Sequence, residues 1–415
     1  MKTKIVLFID NHSMENVDIT DILLGNPGIG GTQYEMFLLA KLMLLNNTKY
    51  DFKLLLTHPQ KGFAEKNIAV AKQFSDVISY CEKEKVDILI SRENKFFDLI
   101  NSLTYTKAVF WIHNFVSYEM IKKIGNCNKI ARVIFVSKQQ YDFYLEYNIN
   151  KKSTYIFNSL AFPERLPLEK KKQNNVVFTG NIVPIKRLHL VTKMWPYIKK
   201  KVPDANLIVI GTGASAHRDR ELGPNGLASP SYEKIILKPL LDANVLSSVK
   251  FLGILGKEKN EIIQTAKVGV SPNKDETFCL SAVEYVLNGV PVVGVAKGGI
   301  NDVIMNNETG LLYRSQKKIR KAIVDILLNK KSLSINEDSI ARIKKKFGFD
   351  VFYQNWINNI DEALTDSKVR ILSASKPKVD KAKWLGSFFR TLRRVFHLPE
   401  AFSRLGIYRL FKRGK

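Results

Sequence analysis

Cysteine is scarce in this 415-residue chain: Cys81, Cys127 and Cys279 are scattered and odd in number, with no C-x-x-C spacing. That argues against a disulfide framework or a zinc site and fits a reducing compartment. The six histidines also lack metal-ligand spacing, so no metal is expected. Long hydrophobic runs are missing. Nothing approaches eighteen consecutive apolar residues, which excludes a membrane-spanning helix, and the IVLFI run after Lys4 is too short for a signal-peptide core. Negative charge is in deficit: 39 acidic residues face 65 basic ones, net +26. The excess points toward an anionic partner, whether nucleic acid, a membrane surface or a phosphorylated ligand. What remains is 45% apolar, a globular composition long enough for two or three domains. A basic cytoplasmic protein is the expectation.

KIVLFID (4–10) reads as a buried parallel strand. NPGIGG (26–31) and the helical TQYEMFLLAKLMLL (32–45) follow. Strand, glycine loop and helix open a nucleotide-binding α/β unit. FKLLLTH (52–58), VDILISR (86–92), AVFWIHN (108–114), RVIFVS (132–137) and STYIFNS (153–159) are further strands. After the polar linker EKKKQNN (169–175) the pattern restarts with NVVFTGN (175–181), a helix over 188–201 and strands in ANLIVIGTG (205–213), VKFLGIL (249–255), VGVSP (268–272) and PVVGVAKGG (291–299). The fold class expected is α/β: two Rossmann-like, doubly wound parallel-sheet domains facing a cleft, with the ligand beyond the carboxyl ends of the strands.

DETFCLSAVE (275–284) carries the chemistry. A strand ends at Pro272, a polar loop follows, and FCLSAVEYVLN has helical periodicity up to Gly289. Glu276 therefore lies in the loop and Glu284 inside the helix. Free amides over Phe278, Cys279, Leu280 and Ser281 suit a diphosphate. Glu276 is placed to accept hydrogen bonds from hydroxyls beyond the phosphates, and Glu284 from a ribose. The spacing alone is met as well by a dipole-favoured carboxylate and a solvated one.

In context this stretch resembles the signature of glycosyltransferase family 4, the retaining group with the GT-B fold: SPNKDETFCLSAVE, then NGVPVVGVAKGGINDVI, then ETGLL (308–312). The resemblance covers roughly residues 1–365. It implies an acceptor domain at 1–165, a nucleotide-sugar domain at 166–345, a helix at 346–367 packing back on the first domain, and a tail at 368–415. In FTGNIVPIKR (178–187), Lys186 holds the lysine position that would neutralise the donor diphosphate, while Asn181 replaces the usual arginine and Arg187 is a candidate to compensate. His113 stands where the family commonly has a histidine near the donor sugar. Gly30 and Gly31 match the N-terminal glycine loop, and Gly211, Gly213 and Ile254 match positions that cradle the nucleoside. The resemblance thus implies a metal-independent, retaining hexosyltransferase without cofactor, catalysed through Glu276, Lys186 and His113. Its donor would be a nucleoside-diphosphate sugar and its acceptor a glycan or lipid-linked intermediate of cell-surface polysaccharide, such as lipopolysaccharide.

Residues 368–415 hold fourteen Lys/Arg against two Asp/Glu, nearly half of the net charge. WLGSFFRTLRRVF (384–396) sets large apolar residues on one stripe flanked by arginines, and Asp380 is a candidate cap. A basic amphipathic helix of this kind suits an anionic bilayer, so residues 380–415 are expected to hold the protein on the inner face of the cytoplasmic membrane. Packing on the protein itself or a dimer contact is the other use of such a helix. A nucleotide-sugar 2-epimerase of the same architecture is the rival enzyme, disfavoured by the tail. An anionic-polymer or nucleic-acid binder is the rival outside enzymes, but no nucleic-acid module is present and none is expected as a partner. A catalytically dead scaffold, hinted only by Asn181, is the last alternative.

Overall fold

A computed structural model describes residues 2–92, 97–144, 149–162, 172–333 and 335–365. The basic amphipathic tail lies outside them. The first half runs β1 (Lys4–Ile9), α1 (Gly31–Asn46), β2 (Asp51–Leu56), β3 (Ile68–Val70), α2 (Phe74–Glu84), β4 (Ile88–Arg92), α3 (Phe97–Ile100), β5 (Lys107–Ile112), α4 (Tyr118–Asn126), β6 (Ile130–Phe135), α5 (Lys138–Tyr144) and β7 (Ser153–Tyr155). The second runs β8 (Gln173–Thr179), α6 (Leu188–Lys201), β9 (Asn206–Ile210), α7 (Pro230–Asp242), β10 (Val249–Phe251), α8 (Lys259–Gln264), β11 (Ala266–Ser271), α9 (Leu280–Leu287), β12 (Val292–Val295), α10 (Ile300–Val303) and β13 (Gly310–Tyr313). Three helices follow: α11 (Gln316–Leu327), α12 (Glu337–Phe347) and α13 (Phe349–Leu364).

Both sheets are parallel and Rossmann-like. The first has order β3-β2-β1-β4-β5-β6-β7 and the second β10-β9-β8-β11-β12-β13. Strand order reverses between β1 and β4 and again between β8 and β11, and a crevice opens beyond the carboxyl ends at each such switch point. Apolar runs such as IVLFI are buried throughout because helices cover both faces of each sheet. The strands stop short of those runs where glycine turns the chain: VKFLGIL is strand only over Val249–Phe251, and Gly253 has φ +70°.

Each sheet has its own core on its outer face. The third core is shared. It joins Tyr34 and Phe37 of α1 to Tyr285 and Val286 of α9, Phe347 of α12, and Phe352 and Trp356 of α13. Trp356 is fully buried, with its ring centroid 4.6 Å from that of Trp111 on β5. Arg132 of β6 donates to the Glu362 carbonyl at 3.0 Å, and Tyr50 and Lys49 both reach the Asp361 carboxylate. The last helix of the described chain is therefore a layer of the first half. No helix among the described residues is long and apolar enough to cross a membrane.

Candidate functional site

The second sheet's switch point is built from two loops. The loop after β8 crosses Gly180, whose carbonyl lies so close to Gly211 that a Cβ there would meet it at 2.2 Å. It ends in a short helical turn, Pro184–Lys186. The loop after β11 is shaped by an Asx turn, with Asp275 N–H donating to Asn273 Oδ1 at 3.0 Å. It is pinned by the Gly298–Gly299 turn, where Gly299 N–H donates to the Glu276 carbonyl at 2.7 Å. These two loops bring Lys186 Nζ to 2.6 Å from Glu276 Oε1, with the carboxylate side chain 12% exposed. Burial works against the Lys186 charge, but the Glu276 carboxylate outweighs it and the ammonium titrates above its ordinary range. The pair lies beside the start of α9, whose first-turn amides have no intrahelical partners.

Cys279 immediately precedes α9 in the left-handed region, φ +83° and ψ +67°. A side chain there is strained by roughly 1–2 kcal/mol. Its thiol is pushed up to about 11, by burial first and then by Glu276. The expected helix start at Phe278 is corrected by this residue: its left-handed backbone delays regular helix until Leu280. The Phe278 side chain turns into the shared core, with rings 6.1 Å from Phe157 and 5.2 Å from Phe347, so only its backbone is near the loop.

The first half contributes His113, in the turn after β5. It is buried, its ring lies 4.4 Å from Trp111, and Nε2 has no hydrogen-bond partner. Burial, and secondarily the Arg92 charge, hold it well below the usual histidine range, so the imidazole is neutral at physiological pH. Thr277, next to Glu276, donates its hydroxyl to the His113 carbonyl at 2.7 Å. This bond ties the two halves together at the point where the predicted residues meet.

Glu284 faces another charge. Its Oε1 lies 2.7 Å from Lys259 Nζ, and both side chains are almost fully buried. The glycine loop closes against the second half. A Cβ on Gly28 would meet Ile254 at 2.4 Å, one on Gly30 would meet Ala216 at 3.0 Å, and one on Gly31 would meet Leu280 at 2.8 Å. Arg218 donates to the Gly28 carbonyl at 2.9 Å. The open faces of these glycines are occupied by protein, so what they permit here is close approach of the two halves.

Residues 162–346 match the family described as glycosyl transferases group 1. A trehalose synthase of Pyrococcus horikoshii is 24% identical over 262 residues, covering 62% of this chain and 58% of that protein. A D-inositol 3-phosphate glycosyltransferase of Mycobacteroides abscessus is 25% identical over 213 residues, covering 50% of this chain and 42% of that one. The chain thus spans only about half of the length of these relatives. Among solved structures, Anabaena HepE in complex with UDP aligns with TM-score 0.64 at 14% identity, over 87% of this chain and all of that one. The fold is GT-B.

In this GT-B chain most of the predicted residues fall into two groups. Lys186, Glu276, Cys279 and His113 converge on the switch-point loops, with Asn181 nearby, its Oδ1 buried and without a partner. Ile254, Leu280, Gly30 and Gly31 meet where the halves touch, with Ile254 against Gly28. Gly213 is wedged against Ala228 and the Ile182 carbonyl. Arg187 takes the left-handed conformation, φ +61°, at the start of α6. Ser281 Oγ lies 3.8 Å from Cys279 Sγ. Among the described residues no group of three His, Cys, Asp or Glu side chains is arranged to hold a metal. Sequence reasoning missed Lys259 and the cross-cleft bond of Thr277. A signal for the first existed: Lys259 shares an i, i+4 stripe with buried Ile263.

Proposed function

We propose that this protein is a retaining glycosyltransferase that moves a hexose from a nucleoside-diphosphate sugar to a glycan or lipid-linked acceptor of cell-surface polysaccharide. The observation that carries this is the Lys186–Glu276 pair at the amide-bearing start of α9, at the second sheet's switch point. Support comes from the family match over residues 162–346 and from the UDP bound to HepE, a protein of the same fold.

In this reading Lys186 and the α9 amides stabilise the charge that develops on the leaving diphosphate. Glu276 accepts hydrogen bonds from the transferred sugar, and the neutral His113 contacts that sugar from the acceptor side. Glu284 takes the ribose, while Asn181, Arg187 and the turns at Gly211, Gly213 and Ile254 line the nucleoside diphosphate. The domain over 1–165 takes the acceptor. The basic segment 380–415 attaches the enzyme to an anionic membrane surface, a part of the reading that rests on sequence alone.

The test is incubation with a panel of nucleotide sugars and candidate acceptors, followed by detection of free nucleoside diphosphate. Acceptor-dependent release that falls by about 10²-fold or more in Lys186→Met and Glu276→Gln supports the reading. Sugar isomerisation without acceptor, or wild-type release from either variant, overturns it.

A further inference from the structure

Lys259 is 6% exposed, an unusual degree of burial for a lysine. It is the first residue of the short helix α8, and its ammonium lies 2.7 Å from Glu284 on α9. A second layer locks the two helices in register. Asn288 at the end of α9 donates to Asn260 Oδ1 at 3.1 Å and to the Glu284 carbonyl at 2.8 Å, while Gln264 of α8 donates to Asn288 Oδ1 at 2.9 Å. The pair also borders a small cavity between the two halves, lined by Asn26, Tyr34, Lys257, Asn260 and Glu284.

A carboxylate this buried calls for a partner. Lys259 supplies one from the protein side, with its ammonium 2.7 Å from Oε1. A carboxylate fixed in this way is a directed acceptor with capacity left for donors on a ligand, since it accepts through both oxygens. A cis-diol is such a donor pair.

We propose that Lys259 is a positioning residue: it holds Glu284 in one orientation, so that the carboxylate reads the ribose diol of the nucleotide and separates ribonucleotides from deoxyribonucleotides. This rests on the donor reading above. A site built to hydrogen-bond a hydroxyl rejects the analogue lacking it, because the buried acceptor is then left unpaired. Without Lys259 the carboxylate is free to turn, and that discrimination goes.

The experiment is calorimetric titration of the full chain with UDP, GDP and ADP, then with the 2′-deoxy form of whichever binds best. Wild type is expected to prefer the ribonucleotide by about tenfold or more. Lys259→Met is expected to bring the ratio below about threefold, chiefly by weakening the ribonucleotide, while Lys259→Arg keeps the preference. If Lys259→Met does not fold, Lys259→Gln replaces it with the same expectation. A full preference in the folded Met or Gln variant overturns the proposal. So does a wild type that binds UDP, GDP or ADP without distinguishing its deoxy form, a result that leaves the donor reading intact. Binding of none of these nucleotides to wild type overturns the donor reading itself, and this proposal with it.

Discussion

Gly299→Ala isolates the geometry of the Glu276 loop from everything else in the protein. Gly299 has an ordinary backbone conformation, φ −59° and ψ −19°, so alanine brings no torsional strain. What it brings is a methyl group 2.1 Å from the Thr277 carbonyl oxygen and 2.6 Å from Phe278 Cα. Ordinary contact begins at 3.4 Å, so turn and loop must part by about 1.3 Å, beyond what close-packed backbone absorbs in place. The Gly299 N–H bond to the Glu276 carbonyl goes with that movement, and Glu276 is carried away from Lys186. A misplacement near 1 Å costs on the order of 10²-fold in rate. The control is Gly289→Ala at the far end of α9. There φ is +69° and nothing lies within 4 Å of the added Cβ, so strain of about 1 kcal/mol lowers the melting temperature and leaves turnover unchanged. Nucleoside diphosphate release at saturating donor and acceptor, with thermal melts of both variants, reads the comparison. Gly299→Ala turnover within threefold of wild type would refute the claim that this loop's placement sets the rate.

Asp302 of α10 accepts from the Gln139 N–H at the start of α5 at 2.7 Å, across the contact between the halves. Burial raises its carboxyl to about 6. The folded state therefore holds a proton that the unfolded chain has released, and this group's contribution to stability declines as pH rises from about 4 to about 6, bounded by roughly 3 kcal/mol. Asp302→Asn should gain on wild type across that window in paired denaturation curves; parallel curves would contradict the assignment. Trp356→Ala empties a fully buried site in the shared core and should cost about 3–5 kcal/mol in urea unfolding, whereas a loss under 1 kcal/mol would mean that α13 contributes little to the first half. With its thiol at about 11, Cys279 should alkylate over about a hundredfold more slowly in native protein at pH 8 than after unfolding. Mass spectrometry of iodoacetamide-treated protein checks this, and equal rates would reject the buried environment.

The inner strands of both sheets were legible in the sequence because they are covered on both faces and read as unbroken apolar runs; the edge strands β3 and β13, three and four residues long, were not. Helix α6 was legible from its amphipathic stripe, even with Pro196 inside it. Helix α7 was not, because Pro239 interrupts the pattern and polar residues precede it. The start of α9 shifted from Phe278 to Leu280 because no sequence pattern reveals that a cysteine takes a positive φ. Lys186 and Glu276, 90 residues apart, could be assigned to one site only through a resemblance to known motifs; periodicity is silent on pairing at that range. The Glu284–Lys259 pair was hidden because lysine reads as solvated, and the partner of Thr277 is a backbone carbonyl 164 residues away. The glycine loop reads in the sequence as part of a nucleotide-binding unit, and in the fold its open faces meet Ile254, Ala216 and Leu280.

The docking of α13 on the first half has a consequence for biosynthesis. Trp111 and its neighbours on β5 and β6 are made early, yet the helix that covers them, Phe349–Leu364, emerges from the ribosome only after the entire second half. During that interval the first half carries an open apolar face. Its completion waits on translation rather than on its own local folding, and a ribosome stalled after residue 345 would display a nascent chain with that face uncovered, a substrate for chaperones.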